Sequence, residues 1–125
     1  MPRGRPTIVE TTPIPLPDSE LVARLFRVLG DATRLRILEL LEEEGELHQM
    51  ELVRRLSASQ SRVSEHLACL SWCGFIRPSR TEGRRIYYEV ADPEVPEQIA
   101  RAKRFLEDNE AEIACCRILD REEGR

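Results

Sequence analysis

The spacing of apolar residues changes abruptly after Gly74, and this change restricts the folds that the chain can adopt. Before it, Val63, Leu67 and Leu70 recur at intervals of four and three, which predicts a helix packed along one face. After it, two short runs of β-forming residues lie on either side of a turn at Gly83. The sequence therefore predicts a helix, beginning at Gln60, that is followed directly by a β-hairpin.

Other helices are predicted before and after this pair. Capping residues and apolar stripes predict helices over about 19–29, 32–44 and 48–56, and a long last helix is predicted over about 96–119. A four-residue connection, residues 57–60, joins the short third helix to the Gln60 helix. Two helices joined by a tight turn and followed by an arginine-tipped hairpin form the pattern of a winged helix-turn-helix. The predicted fold class is mainly α with a β-hairpin wing, and dimeric.

The predicted domain organisation is one winged-helix domain with short ends. Residues 1–17 contain five of the eight prolines and little periodicity, so they are expected to be a disordered arm. Residues 18–120 form the domain, including first and last helices used for dimerisation, and residues 121–125 form a tail. The dimer is expected because a monomer of this size does not easily bury the apolar stripes of both terminal helices. These stripes include Leu25, Leu29, Ile99, Leu106 and Ile113.

The charge is distributed unevenly along the chain. The formal net charge is −4, yet the segment from Arg54 to Arg85 holds seven arginines against two acids. Such a basic block in an acidic protein is typical of a surface that binds phosphate. It is equally typical of an ordinary solvated face, so the charge alone leaves both interpretations open.

Candidate DNA contacts lie at the start of the Gln60 helix and on the hairpin. Short polar side chains and an arginine at a helix N-terminus suit the major groove, where hydroxyls hold phosphate and Gln or Arg reach base edges. The alternative is an ordinary capped, polar helix start. The neighbouring short helix and basic hairpin favour DNA binding. The predicted contacts are Ser59, Gln60, Ser61, Arg62, Ser64, Arg80, Arg84 and Arg85.

Four cysteines form two close pairs. Cys69 and Cys73 are separated by one helical turn, so both thiolates could bind one metal ion, or both could be small core residues. Cys115 and Cys116 could supply a third thiolate or be a weakly packed terminal pair. Three thiolates without a nearby imidazole favour soft ions. His66, three residues before Cys69, is expected to be structural or to face DNA.

Three segments resemble the ArsR/SmtB family of repressors. These are residues 26–38 (FRVLGDATRLRIL), residues 59–67 (SQSRVSEHL) and residues 83–88 (GRRIYY). The resemblance implies a winged-helix homodimer that leaves its double-stranded operator DNA when an inducer binds.

Residues 66–74 (HLACLSWCG) resemble the CmtR-type cadmium/lead sensors of this family. The resemblance implies that Cys69 and Cys73 bind metal together with a third cysteine from the C-terminal region of the other subunit, here Cys115 or Cys116. The segment 46–51 (ELHQME), which matches another sensing site of the family, contains no cysteine. A further zinc site of the family uses histidines on the last helix, and no histidine follows His66.

The sequence therefore predicts a homodimeric repressor that is released from its operator by Cd²⁺, Pb²⁺ or Hg²⁺. A thiol redox or As(III) switch with the same cysteines, and a DNA-binding regulator without a ligand, are the alternatives. No nucleophile–base set, phosphate loop or acid pair indicates an enzyme. The chain shows no apolar run of the ~20 residues that a membrane span needs, and its start does not resemble a secretory signal, so a cytoplasmic location is expected.

Overall fold

A computed structural model describes residues 16–124. The predicted disordered arm therefore lies outside the described residues, except for Leu16 and Pro17. The chain divides into two compact units, one ending at Pro93 and one beginning at Glu94. The first contains α1 (Asp18–Leu29), α2 (Ala32–Glu44), β1 (Leu47–His48), α3 (Gln49–Leu56), α4 (Gln60–Trp72), β2 (Ile76–Glu82) and β3 (Arg85–Val90). The second contains α5 (Glu94–Ala114) and α6 (Arg117–Glu122).

The core of the first unit is built around α2. This helix begins at Asp31, whose side chain accepts a hydrogen bond from the backbone N–H of Arg34 at 3.0 Å. Its residues pack against α1, α3, α4 and β3. The fully buried residues are Ile37, Leu38, Leu40, Leu41, Leu52, Val63, Leu70 and Ile76. Burial of Val63, Leu67 and Leu70 confirms the helical spacing read from the sequence.

A tight connection joins α3 to α4, as the sequence predicts. Ser57 caps the C-terminus of α3 with φ of 52°, in the left-handed region. This conformation ends the helix, and only three residues separate α3 from α4. Ser59 then caps α4, because its side chain accepts a hydrogen bond from the backbone N–H of Arg62 at 3.2 Å. This pair of helices and the following hairpin confirm the winged helix-turn-helix.

The wing is a three-stranded antiparallel sheet in the order β1-β3-β2. The sequence predicts the hairpin of β2 and β3 but not β1, which is only two residues long and pairs with Tyr87 and Tyr88. His48 is buried beside this sheet, with only 6% of the residue exposed. His48 Nδ1 accepts a hydrogen bond from the backbone N–H of Glu51, and its ring is perpendicular to that of Tyr87, with 5.1 Å between the ring centroids.

In the second unit, the prediction of one helix reaching Leu119 is wrong. The backbone N–H of Cys115 still donates to the carbonyl of Ala111 at 3.0 Å, but Cys116 is extended, with φ of −71° and ψ of 108°. Two adjacent residues of low helix propensity give the chain a place to leave the helix. The Cys115–Cys116 pair therefore lies in a break between α5 and α6, and not inside the last helix. No helix among residues 16–124 is long and apolar enough to cross a bilayer.

Candidate DNA interface and thiol site

The first two turns of α4 present a polar surface to solvent. Val63 is fully buried and anchors this part of the helix, while its neighbours on both sides point outward. All of the contacts predicted on this helix are exposed, namely Ser59, Gln60, Ser61, Arg62 and Ser64. The amide of Gln49 donates to the backbone carbonyl of Gln60 at 3.3 Å, so the start of α3 is tied to the start of α4. The exposed side chains therefore project from a fixed helix pair.

The tip of the wing lies beside the same surface. Gly83 turns the hairpin with φ of 63°, and the next two residues, Arg84 and Arg85, are exposed. Within residues 16–124 neither arginine forms an ion pair, so both cations are available to an external anion. A hollow of about 220 Å³ lies between the wing and the helix pair. Its lining includes Gln49, Gln60, Arg84, Arg85 and Tyr88.

Arg80, the remaining predicted DNA contact, is engaged within the protein. Its Nε donates to the carboxylate of Glu46 at 2.6 Å, and its guanidinium lies over the ring of Tyr87, 3.8 Å from the centroid. Sequence reasoning missed Glu46 as its partner, since the two residues are 34 positions apart and no local pattern joins them. The structure thus brings Gln60, Arg84 and Arg85 together and gives Arg80 a different environment.

Cys69 lies in the last turn of α4, and Cys73 caps the C-terminus of this helix, with its backbone N–H donating to the carbonyl of Cys69 at 3.0 Å. Both cysteines are at the opposite end of the helix from its exposed polar start. Cys69 is half-buried and Cys73 is exposed, and both are free thiols. They open into a cleft of about 480 Å³ against α1 and the start of α2. The cleft is lined by Leu21, Arg24, Leu25, Arg27, Val28, Arg34, Cys69, Cys73 and Phe75.

The electrostatics of the cleft act mainly on Cys73. Burial raises the pKa of the Cys73 thiol, and the neighbouring Cys69 raises it further. The positive charges of Arg24 and Arg34 oppose this rise without cancelling it. Cys73 is therefore a protonated thiol at neutral pH until something favours its anion, as a bound metal cation does.

His66 lies one turn before Cys69 and is part of a polar network that joins three helices. Its Nδ1 is 3.2 Å from the guanidinium of Arg34, and its Nε2 is 3.9 Å from Asp31. Arg34 also donates to the carbonyls of Arg27 and Val28, which end α1. Burial alone would raise the pKa of Asp31, but its backbone hydrogen bond from Arg34 and the charges of His66 and Arg34 lower it overall. These contacts give His66 a structural role.

The donor set of the thiol pair fits a soft metal ion but is incomplete. Two sulfurs one helical turn apart can share one ion. No group of three or more His, Cys, Asp or Glu side chains in the part of the chain that the structure describes is arranged to hold a metal. A metal ion held by Cys69 and Cys73 would therefore need at least one further ligand from outside this arrangement.

An exposed, capped helix start beside a cationic wing defines a winged-helix DNA-binding protein. The sequence model described as "Bacterial regulatory protein, arsR family" matches residues 31–77. A "probable mercury resistance operon repressor" of Streptomyces lividans is 38% identical over 106 residues, which cover 85% of this chain and 83% of that protein. This chain therefore belongs to the ArsR family and is a transcriptional repressor, not an enzyme.

Two further proteins resemble this chain over part of its length. The regulator CmtR of Mycobacterium bovis is 42% identical over 71 residues, which cover 57% of this chain and 58% of that protein. A solved homodimeric winged helix-turn-helix domain from Mycobacterium bovis, titled a possible ArsR-family regulator, has a TM-score of 0.61 and 28% identity. That alignment covers 73% of this chain and 82% of the solved domain. Both the predicted fold and the predicted family are confirmed.

Proposed function

We propose that this repressor binds double-stranded operator DNA as a homodimer and is released by a soft, thiophilic metal ion, Cd²⁺, Pb²⁺ or Hg²⁺. The metal is held by Cys69, Cys73 and one of Cys115 and Cys116 from the other subunit. The observation that carries this proposal is the placement of two free thiols at the C-terminal end of the helix whose first turns form the exposed polar surface. Metal binding at one end of a rigid helix acts on the DNA contacts at the other.

The DNA contacts in this proposal divide into two groups. Gln60 and Arg62, at the start of α4, reach base edges, while Ser59, Ser61 and Ser64 hold the backbone phosphates. Arg84 and Arg85 on the wing bind phosphate, which is supported by their exposure and by the absence of an ion pair at either among residues 16–124. Gln60 from the first group lines the same hollow as Arg84 and Arg85 from the second, which supports a single interface.

The chemistry of the thiols supports a soft ion. Thiolate ligands without imidazole select thiophilic metals over Mg²⁺, Ca²⁺ or Mn²⁺. The relative named as a probable mercury resistance operon repressor supports the same class of inducer. When bound, the metal would be held by sulfur bonds that fix the Cys69–Cys73 end of α4. The protein's own contribution is to hold the two sulfurs one turn apart in an open cleft.

Dimerisation is supported by exposed apolar side chains on the terminal helices. On α1, 51% of Leu21 and 61% of Phe26 are exposed, and on α5, 66% of Phe105 is exposed. Apolar groups of this size are usually covered by a partner. The homodimeric state of the solved relative supports a two-fold dimer here. Such a dimer would place its α4 helices about one DNA turn, ~34 Å, apart.

A heterodimer tests the proposed ligand set. One subunit carries Cys69→Ser and Cys73→Ser, and the other carries Cys115→Ser and Cys116→Ser. If the third ligand comes from the other subunit, this heterodimer keeps one complete site, whereas neither parent homodimer keeps any. With metal added, we expect the purified heterodimer to show the sulfur-to-metal ultraviolet band of a three-thiolate site. Neither parent homodimer should show that band. A heterodimer without that band, beside a wild type that shows it, would contradict a shared site.

Metal affinity is expected to rise with pH. The raised pKa of Cys73 means that its proton has to leave when metal binds anywhere below that pKa. Below the pKa of Cys73, this one thiol therefore makes metal affinity rise about tenfold per pH unit. Above that pKa, its contribution to the pH dependence disappears. Competition with a metal chelator between pH 6 and pH 8 measures the effect, with a chelator of known protonation as the reference. Affinity that does not change with pH would rule out a thiol ligand.

A further inference from the structure

The carboxylate of Glu46 accepts two hydrogen bonds from consecutive residues of the wing. Its Oε1 accepts from the hydroxyl of Ser79 at 2.8 Å, and its Oε2 accepts from Arg80 Nε at 2.6 Å. The Arg80 guanidinium also covers the face of the Tyr87 ring. We call Glu46, Ser79, Arg80 and Tyr87 the wing clasp. It connects the segment just before β1 to the middle of β2.

An irregularity in the sheet makes the wing clasp possible. Consecutive residues of a strand normally point to opposite faces, so they cannot reach the same carboxylate. Here the pairing of β2 with β3 shifts between Pro78 and Arg80, which leaves Ser79 as an extra residue. Since β3 lies between β1 and β2, Arg80 extends past Tyr87 on the central strand to reach Glu46.

The charges of the wing clasp are matched internally. The hydrogen bond from Arg80, and then that from Ser79, lowers the pKa of Glu46, so this carboxylate is ionised at neutral pH. A phosphate at Arg80 would have to replace a carboxylate that already makes a short bond with it. It would also approach the negative charge of Glu46. The wing clasp therefore leaves Arg84 and Arg85 as the cations of the wing tip that are not paired in residues 16–124.

We propose that Arg80 is a positioning residue and not a DNA ligand: through Glu46 and Tyr87 it holds the hairpin so that Arg84 and Arg85 face the DNA backbone. This proposal rests on the proposed contact between the wing and DNA. It replaces the DNA contact that the sequence predicts for Arg80 with a positioning role. It also makes Glu46 part of the DNA-binding machinery, although phosphate repels a carboxylate.

Salt dependence separates positioning from phosphate contact. Each phosphate contact that is lost from the complex makes the slope of log K against log salt shallower by ~0.9. A hairpin that is only less ordered before binding still makes the contacts of Arg84 and Arg85 in the complex, so its affinity falls while the slope is kept. The variants are Glu46→Gln, Arg80→Gln and their combination, with Arg84→Gln as the matched control. The probe is a short, fluorescently labelled duplex of mixed sequence, because phosphate contacts do not depend on sequence. Circular dichroism and the melting temperature verify folding.

We expect Glu46→Gln and Arg80→Gln each to weaken binding by about 2- to 5-fold with an unchanged slope. The combined variant should bind less weakly than the product of the two single effects predicts, since both single variants remove the Glu46–Arg80 contact. Ser79→Ala, which changes no charge and removes only one of the two hydrogen bonds to Glu46, should weaken binding less and also keep the slope. Arg84→Gln should reduce the slope.

Different results are expected if Arg80 itself contacts the DNA backbone. If Arg80 binds phosphate, Arg80→Gln reduces the slope as Arg84→Gln does, and Glu46→Gln strengthens binding by releasing the arginine. Either result, or a Glu46→Gln protein that binds like the wild type, overturns the positioning role while the wing keeps its contact with DNA. If Arg84→Gln leaves the slope unchanged, the wing does not contact DNA, and the proposed interface itself fails.

Discussion

Cys69→Ser and Cys73→Ser proteins are expected to bind operator DNA like the wild type and to stay bound when Cd²⁺, Pb²⁺ or Hg²⁺ is added. Neither thiol lies at the polar start of α4, so losing one sulfur should leave the DNA contacts intact. A single remaining thiolate from this pair cannot fix the end of the helix. The expected loss is the whole coupling free energy between metal and DNA, typically ~1–3 kcal/mol, or about 5- to 150-fold in operator affinity.

Fluorescence anisotropy with an operator chosen by in vitro selection measures this effect. The single variants Cys115→Ser and Cys116→Ser are the matched controls, because only the one that supplies the third ligand should weaken release. Peroxide without metal tests the redox alternative, in which DNA release would accompany a reversible loss of free thiol. A Cys69→Ser protein that leaves its operator at the same metal concentration as the wild type would exclude the proposed site.

Replacing both arginines at the wing tip is expected to have the second large effect. The Arg84→Ala/Arg85→Ala protein loses two exposed cations that line the hollow beside Gln60. We expect binding to all sequences to weaken by about 10- to 100-fold at moderate salt, with a flatter salt dependence, since phosphate contacts release counterions. Titrations with operator and with unrelated DNA over a range of salt concentrations measure both changes.

Gln60→Ala and Arg62→Ala provide the contrast for the wing variant. These residues are proposed to read bases, so their loss should reduce the preference for operator over unrelated DNA by ~1–3 kcal/mol per contact. The affinity of Arg62→Ala for operator does not by itself identify a base contact, because losing a phosphate contact would also reduce that affinity. The preference for operator over unrelated DNA distinguishes the two. If neither the wing variant nor these two changes operator binding, the proposed interface is wrong.

Local signals in the sequence were sufficient to predict the helix-turn-helix and the hairpin. Ser59 caps α4 because its hydroxyl oxygen accepts a hydrogen bond from a free N–H group of the first turn. Gly83 adopts a positive φ at low cost because it has no side chain. In contrast, β1 consists of two residues whose strand geometry depends on pairing with Tyr87 and Tyr88, about 40 positions away. The burial of His48 follows from that pairing, and no local pattern indicates it.

The candidate site shows the same division between local and distant contacts. The helical spacing of Cys69 and Cys73 predicts that they are neighbours, and the structure places Cys69 in the last turn of α4 and Cys73 at its C-cap, one turn later. The bond between Arg80 and Glu46 and the contact between Arg34 and His66 span 34 and 32 positions. Such contacts depend on how the elements pack, which residue spacing along the chain does not specify.

The metal affinity of the operator-bound protein, compared with that of the free protein, tests most directly whether the thiol site controls DNA binding. Coupling between two sites is reciprocal, so operator DNA must weaken metal binding by the same factor by which metal weakens operator binding. We predict a factor of about 5 to 150, measured by chelator competition in the sulfur-to-metal ultraviolet band. Equal metal affinities with and without operator would contradict release by metal.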